Sequence, residues 1–429
     1  MDETSFFVRP LDVAFFGPPE AQSAGDTHYS RSLFPLPPRA FQGLVRSRLL
    51  TAGKLQHSLS DRSKQARQER ERLVGGSDTL PAGWQITGPL PISRVERGEE
   101  EQGAVFMPWV PAPTFLVRPS AKVQRSGALQ RSEEQEPPLR VRRIELHPRD
   151  HATGGVAGRK RTWQVVLGTP GFTAGEPLDG WIDARNLFWA LSGEGSWSPQ
   201  GFRHSPPIVR RELRVGLALE AGTRQAKDRM LYAVDQLRFD GVGGFVGTLR
   251  VSGGLPAALS PEALTTGTAP LGRWHRLAAL EPAPPLVTEW LRIERGEHLP
   301  ERAEDGWYWL IAITPFCSET KAREGSAGGE PSVLAPTLHS VSCAEQIEFW
   351  GALLGKAVVL GGFSLSDNKA RPNRTYVPAG SAWVFKIPGV APERRAEMLR
   401  ELNGAHCLGP LEEARMGFGR VLVGRALDE

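Results

Sequence analysis

Short apolar runs, each cut off by glycine or proline, recur along the whole sequence and limit what it can fold into: many brief strands with few long helices. FFVRPLDVAFF, residues 6–16, ends at GPP and reads as a first strand, with Pro10 tolerated at an edge or bulge. WQITGPLPISRV and AVFMPWVPAPTFLV flank the acidic turn RGEEEQG in a hairpin pattern, and LYAVDQLRF, VGGFVGTLRV, WYWLIAITPF, AVVLGGFSL, AGSAWVFKI and MGFGRVLVG read as later strands. Helical spacing is confined to a few stretches. Phe41, Leu44, Val45 and Leu49 predict a helix from about Arg39 to Leu50, opened by prolines. GWIDARNLFWALSG predicts a second, capped by Asp183 and closed by glycine, while CAEQIEFWGALLGK and APERRAEMLRELNG predict two more.

Strands and about two helices in each half, in split β-α-β order, predict an α+β fold of two ferredoxin-like (RRM-like) domains. A chain of 429 residues is also longer than one core usually organises. The boundary is placed near Ser205 to Pro207, giving domains 1–205 and 206–429. Insertions are expected near 52–80, where SDRSKQARQERERLVGG reads as an exposed helix or flexible arm, and near 118–165, where the chain is irregular and strongly basic.

Net charge is only +4, so a polyanion site must come from local clusters of arginine and lysine. Three cysteines, Cys317, Cys343 and Cys407, are far apart without CxxC spacing, which argues against a disulfide framework and a zinc site. Acidic residues near the N-terminus and the lack of a long apolar run predict a soluble, cytoplasmic protein. HExxH, Walker, GxSxG and GxGxxG motifs are absent, so no cofactor or metal is expected. His28, beside Tyr29 and Arg31 in GDTHYSRS, is the sole candidate general base for RNA cleavage. Asp235 reads as a structural carboxylate paired with arginine.

Binding chemistry is better represented. Arg39, Arg46 and Arg48 share the polar side of the first helix. Arg210, Arg211 and Arg214 lead into one strand, and Thr223, Arg224, Lys227 and Arg229 follow it, so basic groups flank both of its ends as a phosphate grip would require. The loop SDNKARPNRTYVPAGS offers Lys369, Arg371 and Arg374 for phosphate, Asn368 and Asn373 for base edges, and Tyr376 for stacking. In MGFGRVLVG, Gly417, Gly419 and Gly424 lack Cβ atoms and free the backbone N–H groups for close approach to RNA, or equally for tight packing. Phe418 is placed to stack and Arg420 to pair with phosphate.

Read in order, PLDVAFF, GPLPIS…VFMPWVPAPTFLV, RVGLALEAGTRQAKDRMLYAVDQLRFDGVGGFVGTLRV, WLIAITPF, VVLGGFSL…ARPNRTYVPAGSAWVF and MGFGRVLVG resemble the third-subunit family of the Cmr complex, RAMP-superfamily proteins of type III-B CRISPR effectors. The resemblance implies two ferredoxin-like domains of the RAMP type and a non-catalytic role at the repeat-derived 5′ tag of the crRNA. It also implies partners: adjacent backbone RAMP subunits and the large polymerase-like Cmr subunit. Matching positions are Gly417, Phe418, Gly419 and Gly424, Arg214 with Thr223 to Lys227, and Lys369 to Arg374. The sequence departs from the family at Lys227 and Arg229, where an acidic stretch is usual, and at Gly361 to Ser364, where GGW precedes an acid. The alternative is a RAMP endoribonuclease that processes precursor crRNA through His28 and Tyr29.

Overall fold

In a computed structural model of the chain, residues 2–17, 29–61, 63–95, 104–119, 142–143, 145–147, 166–168, 175–220, 222–223, 225–317, 336–364 and 369–426 are described. The first apolar run forms the strand Asp2–Pro10, with Phe6 and Val8 fully buried. Its neighbours come from far along the sequence. Gly244–Val251 pairs on one side and Arg276–Pro282 on the other, and Trp84–Arg94 lies beyond Gly244–Val251, all antiparallel. Numbered along the chain, these four strands stand in the order 4-1-3-2. Thr268–Leu271 extends one edge and Phe106–Pro111, Trp181–Asp183 and Phe202–Arg203 the other, completing an eight-stranded sheet.

A second sheet repeats the plan. Tyr308–Ala312, Glu348–Leu353, Ala382–Lys386 and Val421–Arg425, numbered likewise, are again antiparallel and again ordered 4-1-3-2. The changeover between the two sheets therefore lies between Pro282 and Tyr308. The strands from 244 to 282 belong with the first sheet although residues 95–243, which supply its edge strands Phe106–Pro111, Trp181–Asp183 and Phe202–Arg203, come before its third strand, and such non-local pairing leaves no local trace in sequence.

Six helices are described. α1, Pro38–Ala52, begins with proline as expected and buries Phe41, Leu44, Val45 and Leu49. Its Phe41 ring stacks on Phe6 at 5.7 Å, in space left by Gly247, where a Cβ would sit 2.4 Å from that ring. α2, Lys64–Val74, is a helix capped by the Ser63 hydroxyl, with Leu73 and Val74 buried. α3, Ala184–Ser192, has the expected Asp183 cap, whose carboxylate accepts from the Asn186 N–H at 2.9 Å, and ends at the left-handed Gly193. α4 is Thr288–Glu294, α5 Pro392–Leu402 and α6 Leu411–Arg415.

The helix expected over CAEQIEFWGALLGK does not form. Ala344–Gln346 makes one 3-10 turn and Glu348–Leu353 becomes an edge strand on Ala382–Lys386, with an irregularity between Phe349 and Gly351. Pairing with a buried strand overrides the helical spacing of the apolar residues. Most of the expected insertion near 118–165 lies outside the described residues. The two sheets share a core: Ile92 and Val110 of the first pack in one cluster with Trp309 and Ile311 of the second, and Phe115, just past Phe106–Pro111, stacks on Trp309 at 4.7 Å. All three cysteines are buried free thiols.

Candidate nucleic-acid interface

Where the first turn of α1 meets α6, arginines from both halves of the sequence converge on two carboxylates. Arg39 pairs with Asp78 and, through Nη2, with Glu413 Oε1 at 3.0 Å. Arg371 pairs with the same Asp78 and donates to the Ser77 carbonyl at 2.8 Å. Arg374 lies 3.4 Å from Glu413 Oε1, which also accepts from the Tyr376 hydroxyl at 3.0 Å. Arg46 completes the group without a carboxylate. Its guanidinium donates to the carbonyls of Val74 (2.8 Å), Thr79 (3.0 Å) and Gly76, and to Gln42 Oε1 (3.0 Å).

Four guanidiniums thus face two carboxylates, and the electrostatics follow. Burial, then the nearby Arg371, lowers the Arg46 pKa to about 10. Burial works against the charge of Arg39, but Tyr376, Glu413 and Asp78 more than restore it. Burial likewise opposes ionisation of Asp78, yet Arg371 and Arg39 hold it below the usual carboxylate range. The Tyr376 phenol is pushed far up, first by burial and then by Glu413. Arg374 is the partly exposed member of this cluster, and Lys369, two residues before Arg371 along the chain, is exposed.

The glycine-rich loop is found under the cluster and not on its surface. Phe418 is 1% exposed, with its ring 5.4 Å from Tyr376 and 5.9 Å from the Arg39 guanidinium. Gly417 (φ +102°) lies against Gly88, and a Cβ there would be 2.5 Å from the Gly88 oxygen. Gly419 (φ +64°) is tighter still, with a Cβ falling 2.0 Å from the Leu408 oxygen. The N–H groups are spent internally: Gly417 donates to Ala414, Phe418 to Glu413, Gly419 to Pro315, and Arg420 to the Thr314 hydroxyl. Arg420 pairs with Glu294 at 3.0 Å and is buried, and Gly424 packs its Cα side on Leu191 of α3. In this structure the loop therefore locks the two sheets together, because close backbone approach has been used on Gly88 and Leu408.

The second basic group lies elsewhere, on a two-stranded ribbon of Val209–Leu219 and Ala226–Phe239. Alternation separates its arginines. Arg211 faces Asp235 (3.0 Å), which also takes Arg31 at 3.5 Å and the Tyr29 hydroxyl at 3.3 Å, so Asp235 is the arginine-paired carboxylate expected of it. On the opposite face Arg214 and Arg238 share Glu212, and their hydrogen bonds hold that carboxyl at about 2. Arg210 stands exposed across from Arg238. Thr223 is exposed near the tip, 3.5 Å from Glu220, Lys227 occupies the second position of the returning strand, and Arg224 lies outside the described residues, as do His28 and Asn368.

A further feature of the ribbon was missed in the sequence. Leu213 and Val215 are 60% and 62% exposed, and with Leu217 and Tyr29 they form an apolar stripe on the face that carries Arg211. The alternation in RELRVGLALE was visible, but such a pattern ordinarily marks a half-buried strand. A small cleft is lined by Pro35, Pro89, Trp109, Trp181 and Arg420. Among the described residues no cluster of three potential metal ligands occurs, and no helix is long and apolar enough to cross a membrane.

Fold and site together define a mixed α+β protein of antiparallel sheets with arginine-rich clusters. The sequence matches the family described as CRISPR-associated protein (Cas_Cmr3) over residues 6–426, and the chain belongs to that family. No curated protein matches it. Two similar solved structures are cryo-EM structures of the Type III-B Cmr-beta. The one bound to cognate target RNA is 12% identical, with 97% of this chain and 96% of that chain covered and a TM-score of 0.43. The other, bound to cognate target RNA and AMPPnP in state 1, is 13% identical, with 92% and 93% covered and a TM-score of 0.41.

Proposed function

We propose that this chain is a non-catalytic subunit of a type III-B RNA-guided effector that binds the repeat-derived 5′ tag of the crRNA. It caps the row of backbone RAMP subunits and docks the large polymerase-like subunit. The carrying observation is the convergence of Arg39, Arg46, Arg371 and the partly exposed Arg374 beside only two carboxylates. Excess guanidinium in one place attracts a phosphate backbone. Membership of the Cas_Cmr3 family supports the assignment to such an assembly. The repeated 4-1-3-2 order supports two ferredoxin-like domains, divided between Pro282 and Tyr308. The apolar stripe of the ribbon, too exposed for an isolated chain to gain from, suits a protein neighbour.

The test is binding of the purified chain to crRNA with and without its 5′ tag, over a salt series, with cleavage scored in the same tubes. Tag-dependent affinity is expected, with no cleavage. Lys369→Ala and Arg374→Ala should each reduce the magnitude of the salt slope by about 0.7. Equal affinity for tagged and untagged RNA overturns tag recognition, and metal-free cleavage of repeat RNA moves the function to the endoribonuclease.

A further inference from the structure

Between the strands Thr268–Leu271 and Arg276–Pro282 the chain turns through Gly272 to Arg276, and Trp274 there adopts the left-handed conformation (φ 60°, ψ 24°). A bulky side chain is disfavoured in that region and persists only where its surroundings enforce it. They do so here. The Arg273 N–H donates to the Phe15 carbonyl at 2.9 Å, and a Cβ on Gly272 would lie 2.7 Å from that same oxygen, so the turn is pressed onto the backbone at Phe15. The indole stacks on the fully buried Phe15 ring at 5.0 Å and 25°, yet Trp274 remains 48% exposed. One ring face is supported from below, and the exposure belongs to the other.

The surroundings are cationic. Arg276, two residues on, has a buried Nε with no hydrogen-bond partner among the described residues, and its Nη1 lies 3.8 Å from Asp12. Asp12 also takes Arg238 at 3.1 Å, and Arg238 stands opposite Arg210 on the ribbon. Arg276, Arg238 and Arg214 are thus linked through only Asp12 and Glu212, with the exposed Arg210 across from Arg238, again an excess of positive charge. Leu11 and Leu277 border the turn as exposed apolar residues, but the guanidiniums select a polyanion over an apolar protein surface.

We infer that Trp274 is a stacking platform for an unpaired base of an RNA strand whose phosphates run along Arg276, Arg238 and Arg210. This site is separate from the Glu413 cluster and rests on the RNA-binding reading above. Aromatic faces stack any base, and nearby arginine supplies the phosphate contacts.

The test uses the full chain with a fluorescent oligouridine 15-mer and an abasic ribose-phosphate oligomer of the same length. Trp274→Gly removes the ring at a φ that glycine accepts readily, so the turn is kept. It should weaken oligouridine binding about tenfold, leave the salt slope unchanged and spare the abasic oligomer, while Trp274→Phe keeps most of the affinity. A 4-thiouridine oligomer should also photocrosslink to the peptide containing Trp274, a readout that needs no variant to fold. The inference is overturned if Trp274→Gly binds oligouridine normally, if it loses affinity equally for both oligomers, or if crosslinks avoid that peptide. Wild-type protein that binds no RNA would instead sink the function proposed above.

Discussion

The Glu413 cluster and the ribbon are built from the same residue, arginine, and use it in opposite ways. At Glu413 the guanidiniums of Arg39, Arg46 and Arg371 are largely withdrawn from water and bonded to carboxylates and backbone carbonyls of other segments. On the ribbon, Arg214 and Arg238 meet Glu212 at the surface, where solvent weakens every pair. Desolvation makes the difference. A buried guanidinium becomes part of the framework because removing any partner strands a charge, whereas a surface guanidinium can exchange its partner for a ligand at little cost.

If that contrast is sound, the largest effect belongs to Gly419→Ala. A Cβ at that φ collides with the Leu408 carbonyl, and stability in urea should fall by about 4 kcal/mol. Unchanged stability would show that the loop yields and that the interlock is loose. Glu413→Gln should come next, at about 3 kcal/mol, since Arg39 and Arg374 lose their shared counter-charge in a buried place; a loss below about 1 kcal/mol would put the cluster on a par with the ribbon.

A smaller effect is expected from acid. Asp78 is held below the usual carboxylate range, so its stabilising contribution is complete above its unfolded pKa and is lost as pH falls through the lower folded value. Denaturation measured from pH 5 downwards should therefore show a decline that Asp78→Asn diminishes. The smallest change belongs to the ribbon: Val215→Asp, on an exposed position, should alter stability by no more than about 0.5 kcal/mol. The same substitution should abolish co-purification of a neighbouring subunit, and retained assembly would remove the stripe from the docking surface.

How much of this was legible in the sequence follows the same division. α1, with its proline start and buried Phe41, Leu44, Val45 and Leu49, and α3, with its Asp183 cap, are written in local spacing and were read correctly. The pairing of Asp2–Pro10 with strands at 244–251 and 276–282 is a tertiary fact that no local pattern announces. CAEQIEFWGALLGK has helical spacing but sits beside a strand needing a partner, so its local preference lost. Among the site residues, Arg39, Arg46, Arg371 and Arg374 were singled out separately, but nothing in their spacing shows that Asp78 and Glu413 gather them. Phe418 was expected outside because aromatic residues in glycine turns can stack; burial beneath Arg39 and Tyr376 is set by packing from both halves. Trp274 escaped notice because a single aromatic carries no periodicity.

The contact of Gly417 with the Gly88 carbonyl has a kinetic side. Folding rates fall as contacts join residues more distant along the chain, because loop closure must precede the gain from contact. The backbone at Gly88 emerges from the ribosome long before Gly417 exists, so the first sheet has to wait with one of its carbonyls uncovered. Closure of that contact thus comes late, together with the pairing of Val421–Arg425 beside Tyr308–Ala312.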